Sequence, residues 1–161
     1  MFDTLDDGAL TFGVLPREQI ASVTGRAALQ AIIDGRLPQA PVSRSMSFWL
    51  AEVGDGSAVF EGTTGPHLLN PAGGVHGGWA LTLIDSACAC AAYSLLPAGV
   101  GYASLETKAN FTRPIRVDTG PVRCSGRVAG RGRQIITAEA RLTNSSGELL
   151  AHGSSTVMVL R

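Results

Sequence analysis

The residues of this sequence that could perform chemistry lie between positions 70 and 85. Asn70 precedes a stretch in which residues 76–79 read HGGW, and the chain after them is almost wholly apolar as far as Pro97, which predicts a buried helix. Asp85 interrupts the apolar run. Because the first N–H groups of a helix have no intrahelical acceptor and lie at the positive end of its dipole, Gly77 could bind an oxyanion. Asp85 would then supply a base or a nucleophile.

The spacing of Gly77 and Asp85 indicates a site built from two chains. Eight residues separate them, and a helix rises about 1.5 Å per residue, so they lie roughly 12 Å apart along its axis. One substrate carbon cannot contact both groups within one chain. A twofold axis could bring Gly77 of one chain beside Asp85 of another, so the sequence predicts a dimer with two shared sites.

Each of these polar residues also has a structural interpretation. Asp85 could cap backbone groups or pair with a cation, but its position after the helix start favours a catalytic role. His76 is more typical of a residue that hydrogen-bonds the helix start than of a base. Asn70 either forms the turn before Pro71 or positions substrate or water, and both interpretations stay open.

Periodicity and turn residues predict the remaining elements. Thr24 as N-cap and Gly35 as a stop predict a helix within residues 1–40. Beyond it, alternation and turn signals predict two strands before the buried helix and four after it, at Ser43–Val53, Ser57–Thr64, Tyr102–Ile115, Pro121–Val128, Gln134–Thr143 and Leu150–Leu160. In the third of these, alternation places Ala103, Leu105, Thr107, Ala109 and Phe111 on an apolar face.

This order of elements predicts an α+β fold. One antiparallel six-stranded sheet wrapped around a single long buried helix is the hot-dog fold, and a Rossmann-like alternation is absent. We expect residues 41–161 to form this domain and residues 1–40 to be an N-terminal extension with one helix.

Composition excludes several classes of protein. Thirteen basic and thirteen acidic residues give a formal net charge of zero, which removes the general electrostatic argument for binding nucleic acid or an anionic membrane. Three cysteines, an odd number, indicate neither a zinc cluster nor a disulfide framework, and so a reducing cytoplasmic compartment. We find no targeting or membrane segment. A hydrophobic content of 45% is high for a small monomer and favours contact with another subunit.

The set Asn70, His76, Gly77, Gly78 and Asp85 resembles the hot-dog thioesterases of the phenylacetic-acid-degradation type, relatives of 4-hydroxybenzoyl-CoA thioesterase. The resemblance continues to the C-terminus. It implies hydrolysis of an acyl-CoA, aryl or medium-chain, by water, with coenzyme A as part of the substrate and no metal or redox cofactor. It also implies a homodimer that pairs into a homotetramer.

The resemblance and the residue types indicate further site residues. Ser104 corresponds to a serine or threonine that assists the acid in this family. Gly78 and Trp79 are candidate substrate contacts, although a large apolar residue in such a helix is more often part of the core. Four arginines are candidates for the coenzyme A phosphates, with the pair flanking Gly132 favoured over the other two: Arg131 and Arg133, then Arg113 and Arg116.

Two other functions fit the same fold. A hot-dog dehydratase or hydratase would use a histidine and an acid, and His67 is the feature that favours it. A non-catalytic acyl-CoA-binding protein is the second alternative, since fold does not fix function. Release of free thiol distinguishes a thioesterase from both.

Overall fold

The structure is a computed structural model that describes residues 10–160. The helices and strands, each numbered in chain order, are α1 (Arg17–Ala21), α2 (Gly25–Ile33), α3 (Pro41–Ser45), β1 (Phe48–Gly54), β2 (Ser57–Thr63), α4 (Gly77–Tyr93), β3 (Gly101–Phe111), β4 (Pro121–Arg131), β5 (Ile135–Asn144) and β6 (Leu149–Leu160). Among these residues, no helix has the length and apolar character needed to cross a membrane.

The six strands form one antiparallel sheet in the order β1-β2-β4-β5-β6-β3. The helix α4 contacts every strand of this sheet. The structure therefore confirms the predicted α+β hot-dog fold, with β1 and β3 as the two edges of the sheet.

The face of α4 that meets the sheet forms the centre of the core. Trp79, Leu83 and Ile84 are at most 1% exposed, and burial of such side chains contributes about 1.5–3 kcal/mol each. Gly126 on β4 lies beneath the helix, where a Cβ atom would overlap the backbone of Ala87. The helix is not buried all round, because Thr82, Asp85 and Ser86 on its other side are partly exposed. This side carries the polar chemistry.

The N-terminal part of the chain differs from its prediction in two places. The predicted helix is present as α2, and the Thr24 hydroxyl accepts from the Ala27 N–H. A second short helix, α1, precedes it. The strand predicted from Ser43 begins only at Phe48, because Pro41 occupies the first turn of α3 and Ser47 takes a left-handed conformation with φ 52°. Proline is well suited to the start of a helix.

The edge strand β3 contains a bulge that sequence alternation did not reveal. Its register with β6 shifts between Ser104 and Glu106, so Leu105 is the extra residue and is 55% exposed. A bulge of one residue exchanges the faces of the side chains on either side of it. Thr107 lies opposite the buried Ser155 and faces α4, as predicted, whereas Leu105 does not. Ser104, predicted on the polar face, shares the helix-facing side with Thr107.

Candidate active site

The first turn of α4 leaves one backbone donor open. His76 is the N-cap, and its Nδ1 accepts from the Gly78 N–H at 2.9 Å. The Trp79 N–H donates to the His76 carbonyl at 2.9 Å. Within residues 10–160, the Gly77 N–H has no acceptor. The geometry of His76 is that of a helix-start hydrogen-bonding residue, and the N–H of Gly77, rather than that of Gly78, is the one available to an oxyanion.

The loop before α4 is closed by backbone bonds and by Asn70. The Oδ1 of Asn70 accepts from the N–H groups of Ala72 at 2.9 Å and Gly74 at 3.3 Å. The His76 N–H donates to the Leu68 carbonyl at 2.8 Å. The carbonyl oxygen of Asn70 thus forms the turn, as one of its two interpretations predicted. Its amide nitrogen has no hydrogen-bond acceptor among the described residues and stays open to a substrate or water.

Asp85 lies on the partly exposed side of α4 and is held by a hydroxyl from β3. The Thr107 Oγ1 donates to its Oδ1 at 2.7 Å. Thr107 in turn lies 3.0 Å from the Ser155 Oγ, and Ser155 donates to the Glu106 carbonyl at 3.0 Å. Since Ser155 is 1% exposed, this hydroxyl pair is fixed from beneath by the sheet. A short hydrogen bond to an ionised carboxylate is among the stronger ones in proteins.

The hydrogen bond expected for Ser104 is therefore made by Thr107. The resemblance directed attention to Ser104, and alternation assigned Thr107 to an apolar face. The available signal was that Thr107 is the one hydroxyl residue among the five predicted on that face. Because the bulge at Leu105 changes which side chains of β3 face α4, simple alternation did not identify the residue that bonds Asp85.

The strand β3 runs alongside α4 in the opposite direction. At the start of the helix, a Cβ atom on Gly77 would lie 3.0 Å from the Phe111 ring, so that ring packs against the glycine. Thr107 contacts Asp85 two turns later. Four strand residues span about 13 Å, which agrees with the roughly 12 Å between Gly77 and Asp85 along the helix. Within one chain, the open N–H and the carboxylate are thus as far apart as the sequence predicted.

Trp79 does not line a surface pocket. Its side chain is 1% exposed, and its Nε1 donates to the Met46 carbonyl at 2.7 Å. Its ring forms part of the core between α4 and the sheet, which agrees with the core interpretation of this residue, and a substrate contact by Trp79 stays a prediction.

The candidate arginines lie at opposite ends of α4. Arg131 ends β4 and Arg133 follows in the turn, beyond the C-terminal end of the helix, where Val128 packs with Ala92. Arg113 and Arg116 follow β3 on either side of Ile115, whose carbonyl accepts from the Val75 N–H just before α4. Arg113 contacts Glu148 at 3.6 Å, and both side chains are more than half exposed.

The three cysteines are free thiols with little nucleophilic character. Burial raises the pKa of Cys88 and of Cys90 to about 12, with the charge of Asp85 adding to the effect at both. Burial also raises the pKa of Cys124. Because the thiolate is the reactive form of cysteine, these side chains are inert at neutral pH.

Comparison with known proteins places the chain in a family. Residues 72–151 match the thioesterase superfamily, and no curated protein matches the sequence. A conserved protein from Pseudomonas aeruginosa is 31% identical, with 74% of this chain and 94% of that one covered and a TM-score of 0.69. A phenylacetic acid degradation-related protein from Ralstonia eutropha is 25% identical, with 81% and 98% covered and a TM-score of 0.73.

A further structure shows the same fold at lower identity. AziG from S. sahachiroi is 21% identical, with 75% of this chain and 97% of that one covered and a TM-score of 0.72. On the family match, the 31% identity and the shared architecture, the chain belongs to the thioesterase superfamily and is a hot-dog thioesterase of the phenylacetic-acid-degradation (PaaI) type.

Proposed function

We propose that the protein hydrolyses acyl-coenzyme A thioesters, aryl or medium-chain, at two sites shared between the subunits of a homodimer. The observation that carries the proposal is the pairing of an open Gly77 N–H with an Asp85 carboxylate held by Thr107, both on α4. Hydrolysis of a thioester needs a donor for the developing oxyanion and a carboxylate that activates water or attacks directly. These two groups provide both.

The open edge of the sheet supports the proposed dimer. Within residues 10–160, the outer edge of β3 pairs with no other strand. An open edge is a template for a second chain, and Leu105 and Phe111 expose 55% and 56% of their surface there. If two copies of β3 pair antiparallel about a twofold axis at Ala109, Thr107 lies opposite the partner's Phe111. Asp85 is then brought towards the partner's Gly77, and the distance that separates them within one chain is removed.

In the proposed reaction, the Gly77 N–H binds the thioester carbonyl oxygen. Asp85 of the other subunit takes a proton from water, and the oxygen of that water attacks the carbonyl carbon. The tetrahedral oxyanion collapses, the carbon–sulfur bond breaks, and the coenzyme A sulfur takes the proton from Asp85. Direct attack by the Asp85 carboxylate, followed by hydrolysis of the anhydride, gives the same products.

The same arrangement suggests where coenzyme A enters. In an antiparallel pair of helices, the C-terminal end of the partner's α4 extends past Gly77. Arg131 and Arg133 of the subunit that supplies Asp85 would then lie at the mouth of the site, where they are proposed to bind the phosphates. Pairing of two such dimers into a cytoplasmic tetramer is the assembly that the resemblance implies.

Hydration or dehydration is a weaker assignment for this chain. His67, the histidine on which that alternative depends, has its Nε2 2.9 Å from the hydroxyl of Ser47, just before β1, and no hydrogen bond joins it to Asp85. Binding without catalysis gives no reason for the carboxylate to be held by two successive hydroxyl groups.

Mixed dimers test the shared site. Asp85→Asn removes the base, and Gly77→Pro removes the N–H at a position where proline suits the helix start. Each variant alone should lose at least about a hundredfold in turnover. In an equal mixture that exchanges subunits, about half of the dimers are hybrids with one intact site, so thiol release should return to about a quarter of the wild-type rate.

Gly77→Ala is the matched control for proline. It adds the same Cβ atom beside the Phe111 ring and keeps the N–H. Its activity should exceed that of Gly77→Pro by at least about tenfold. Hybrid dimers that form and stay inactive would contradict the shared site, and a folded Asp85→Asn chain with near-normal turnover would contradict the role of Asp85.

A further inference from the structure

The corner between α3 and β1 contains a strained residue whose hydroxyl is bonded. Ser47 is the one non-glycine residue with positive φ, 52°, among residues 10–160, and it is 8% exposed. Glycine adopts this conformation without steric cost. What serine adds is its hydroxyl, and the Ser47 Oγ lies 2.9 Å from the Nε2 of His67.

This corner is connected to both sides of Gly77. On the C-terminal side, the Met46 carbonyl accepts from the Trp79 Nε1 at 2.7 Å. On the N-terminal side, Ser47 bonds His67, whose neighbour Leu68 accepts from the His76 N–H at 2.8 Å. The adjacent residues Met46 and Ser47 are thus connected to Trp79, two residues after Gly77, and to His76, just before it.

The corner itself is fixed to the sheet. The Ser47 carbonyl accepts from the Thr63 N–H of β2 at 2.9 Å, and Phe48 begins β1 in register with Gly62. The Trp79 connection is partly buried, whereas His67 is exposed and belongs to a short 3-10 turn, Pro66–Leu68. Leu68, the last residue of this turn, is buried in the core, and the hydrogen bond between Ser47 and His67 is the polar side-chain contact between the turn and the fixed corner.

We propose that Ser47 and His67 are positioning residues that hold the loop before α4 and so fix the direction of the Gly77 N–H. For catalysis the inference rests on the proposed function of that N–H. An oxyanion donor is effective only when its geometry is set before the reaction, since small displacements weaken it steeply. Loss of the tether lets the turn at His67 shift, and with it the Leu68 carbonyl that accepts from the His76 N–H, while the substrate contacts elsewhere remain.

Ser47→Ala, Ser47→Gly and His67→Ala test the tether. We expect each to lower kcat about tenfold and to change KM less than about twofold. The double variant Ser47→Ala/His67→Ala should lose no more kcat than either single variant, because each single substitution already removes the same hydrogen bond. Glycine relieves the backbone at position 47 and should melt at a higher temperature than alanine, yet the two should show the same kcat.

Ser94→Ala is the matched control. Its buried hydroxyl makes two hydrogen bonds, to the Gly56 N–H at 2.9 Å and the Ala91 carbonyl at 2.7 Å, at the far end of α4. We expect this variant to lose thermal stability and to keep its kcat. A purely structural role for Ser47 would instead make kcat follow stability, with glycine more active than alanine, and that result would overturn the inference.

Amide hydrogen exchange gives a readout that does not depend on activity. In His67→Ala, where an exposed side chain is removed, exchange at the His76 amide should rise about tenfold, and that at the Gly56 amide should not change. Unchanged exchange at His76 would overturn the tether even if the wild-type protein is an active thioesterase. If the wild-type protein releases no thiol, the proposed function fails, and the exchange result still decides the tether.

Discussion

Replacement of Thr107 by valine removes the hydroxyl that holds Asp85 and keeps nearly the same shape. The Thr107 Oγ1 donates to the carboxylate at 2.7 Å from a strand that is paired with β6 on both sides of the bulge at Leu105. Hydrogen bonds to charged groups contribute about 1.5–3 kcal/mol. If this stabilisation is needed to hold Asp85 in its reactive orientation, the same energy is lost from the transition state. At about 1.4 kcal/mol per tenfold, turnover should fall about 10- to 100-fold.

The assay is thiol release from an acyl-CoA, with kcat and KM measured separately. We expect the loss in kcat, because Thr107 contacts the carboxylate rather than the substrate in this arrangement. Ser155→Ala removes the second hydroxyl and leaves the Thr107 bond to Asp85, so its loss should be smaller. The loss in kcat should therefore increase in the order Ser155→Ala, Thr107→Val, Asp85→Asn, as the change comes closer to the carboxylate.

Thr143→Val provides the matched control on β5. That threonine is also partly buried, and its hydroxyl makes a bond, to the Arg123 carbonyl at 3.4 Å. It should keep wild-type kinetics. A folded Thr107→Val protein with turnover within about threefold of wild type would refute the reasoning, since the bond would then contribute nothing to the reaction.

Two further predictions concern the donor and the thiols. The double variant Arg131→Ala/Arg133→Ala should raise KM about tenfold for an acyl-CoA and leave KM unchanged for an acyl-N-acetylcysteamine thioester, which lacks the phosphates. The control Arg127→Ala, on the exposed face of β4, should change KM for neither substrate. Equal losses with both substrates would mean that the turn has a structural role. Burial raises the pKa of Cys88 and Cys90 from 9.0 to about 12, so the unfolded chain loses these protons first and the free energy of unfolding should fall as the pH rises from 9.0 towards 12. Replacement of both by alanine should flatten that decline in denaturant titrations, and an unchanged slope would contradict the assignment.

The elements of the fold follow from local signals. Thr24 caps α2 as its position predicted, and the stretch after His76 forms the central helix. Local sequence was misleading where two signals competed. Ser43 was predicted in a strand because alternation continued into β1, but Pro41 starts a helical turn just before it. The choice between these outcomes depends on how the corner packs, which a short window of sequence does not contain.

The candidate site, like the fold, has features that local sequence predicts and features that only the tertiary structure shows. The chemistry-bearing pattern from Asn70 to Asp85 is continuous in sequence, so the open N–H at the helix start and the roughly 12 Å to the carboxylate could be worked out from helix geometry alone. Trp79 belongs to the same pattern, yet only the tertiary structure shows that its side chain is buried in the core.

The sequence by itself determined the order of elements, the helix start with its available donor, and the carboxylate on the same helix. These are properties of neighbouring residues, fixed by local hydrogen bonding and by the period of the helix. Only the tertiary structure decided which hydroxyl meets Asp85. Thr107 lies 22 residues away, on a strand whose bulge at Leu105 exchanges faces, and its position depends on pairing with β6, another distant segment. A contact between elements is set by register and packing across the whole sheet, and a one-residue shift is enough to redirect it.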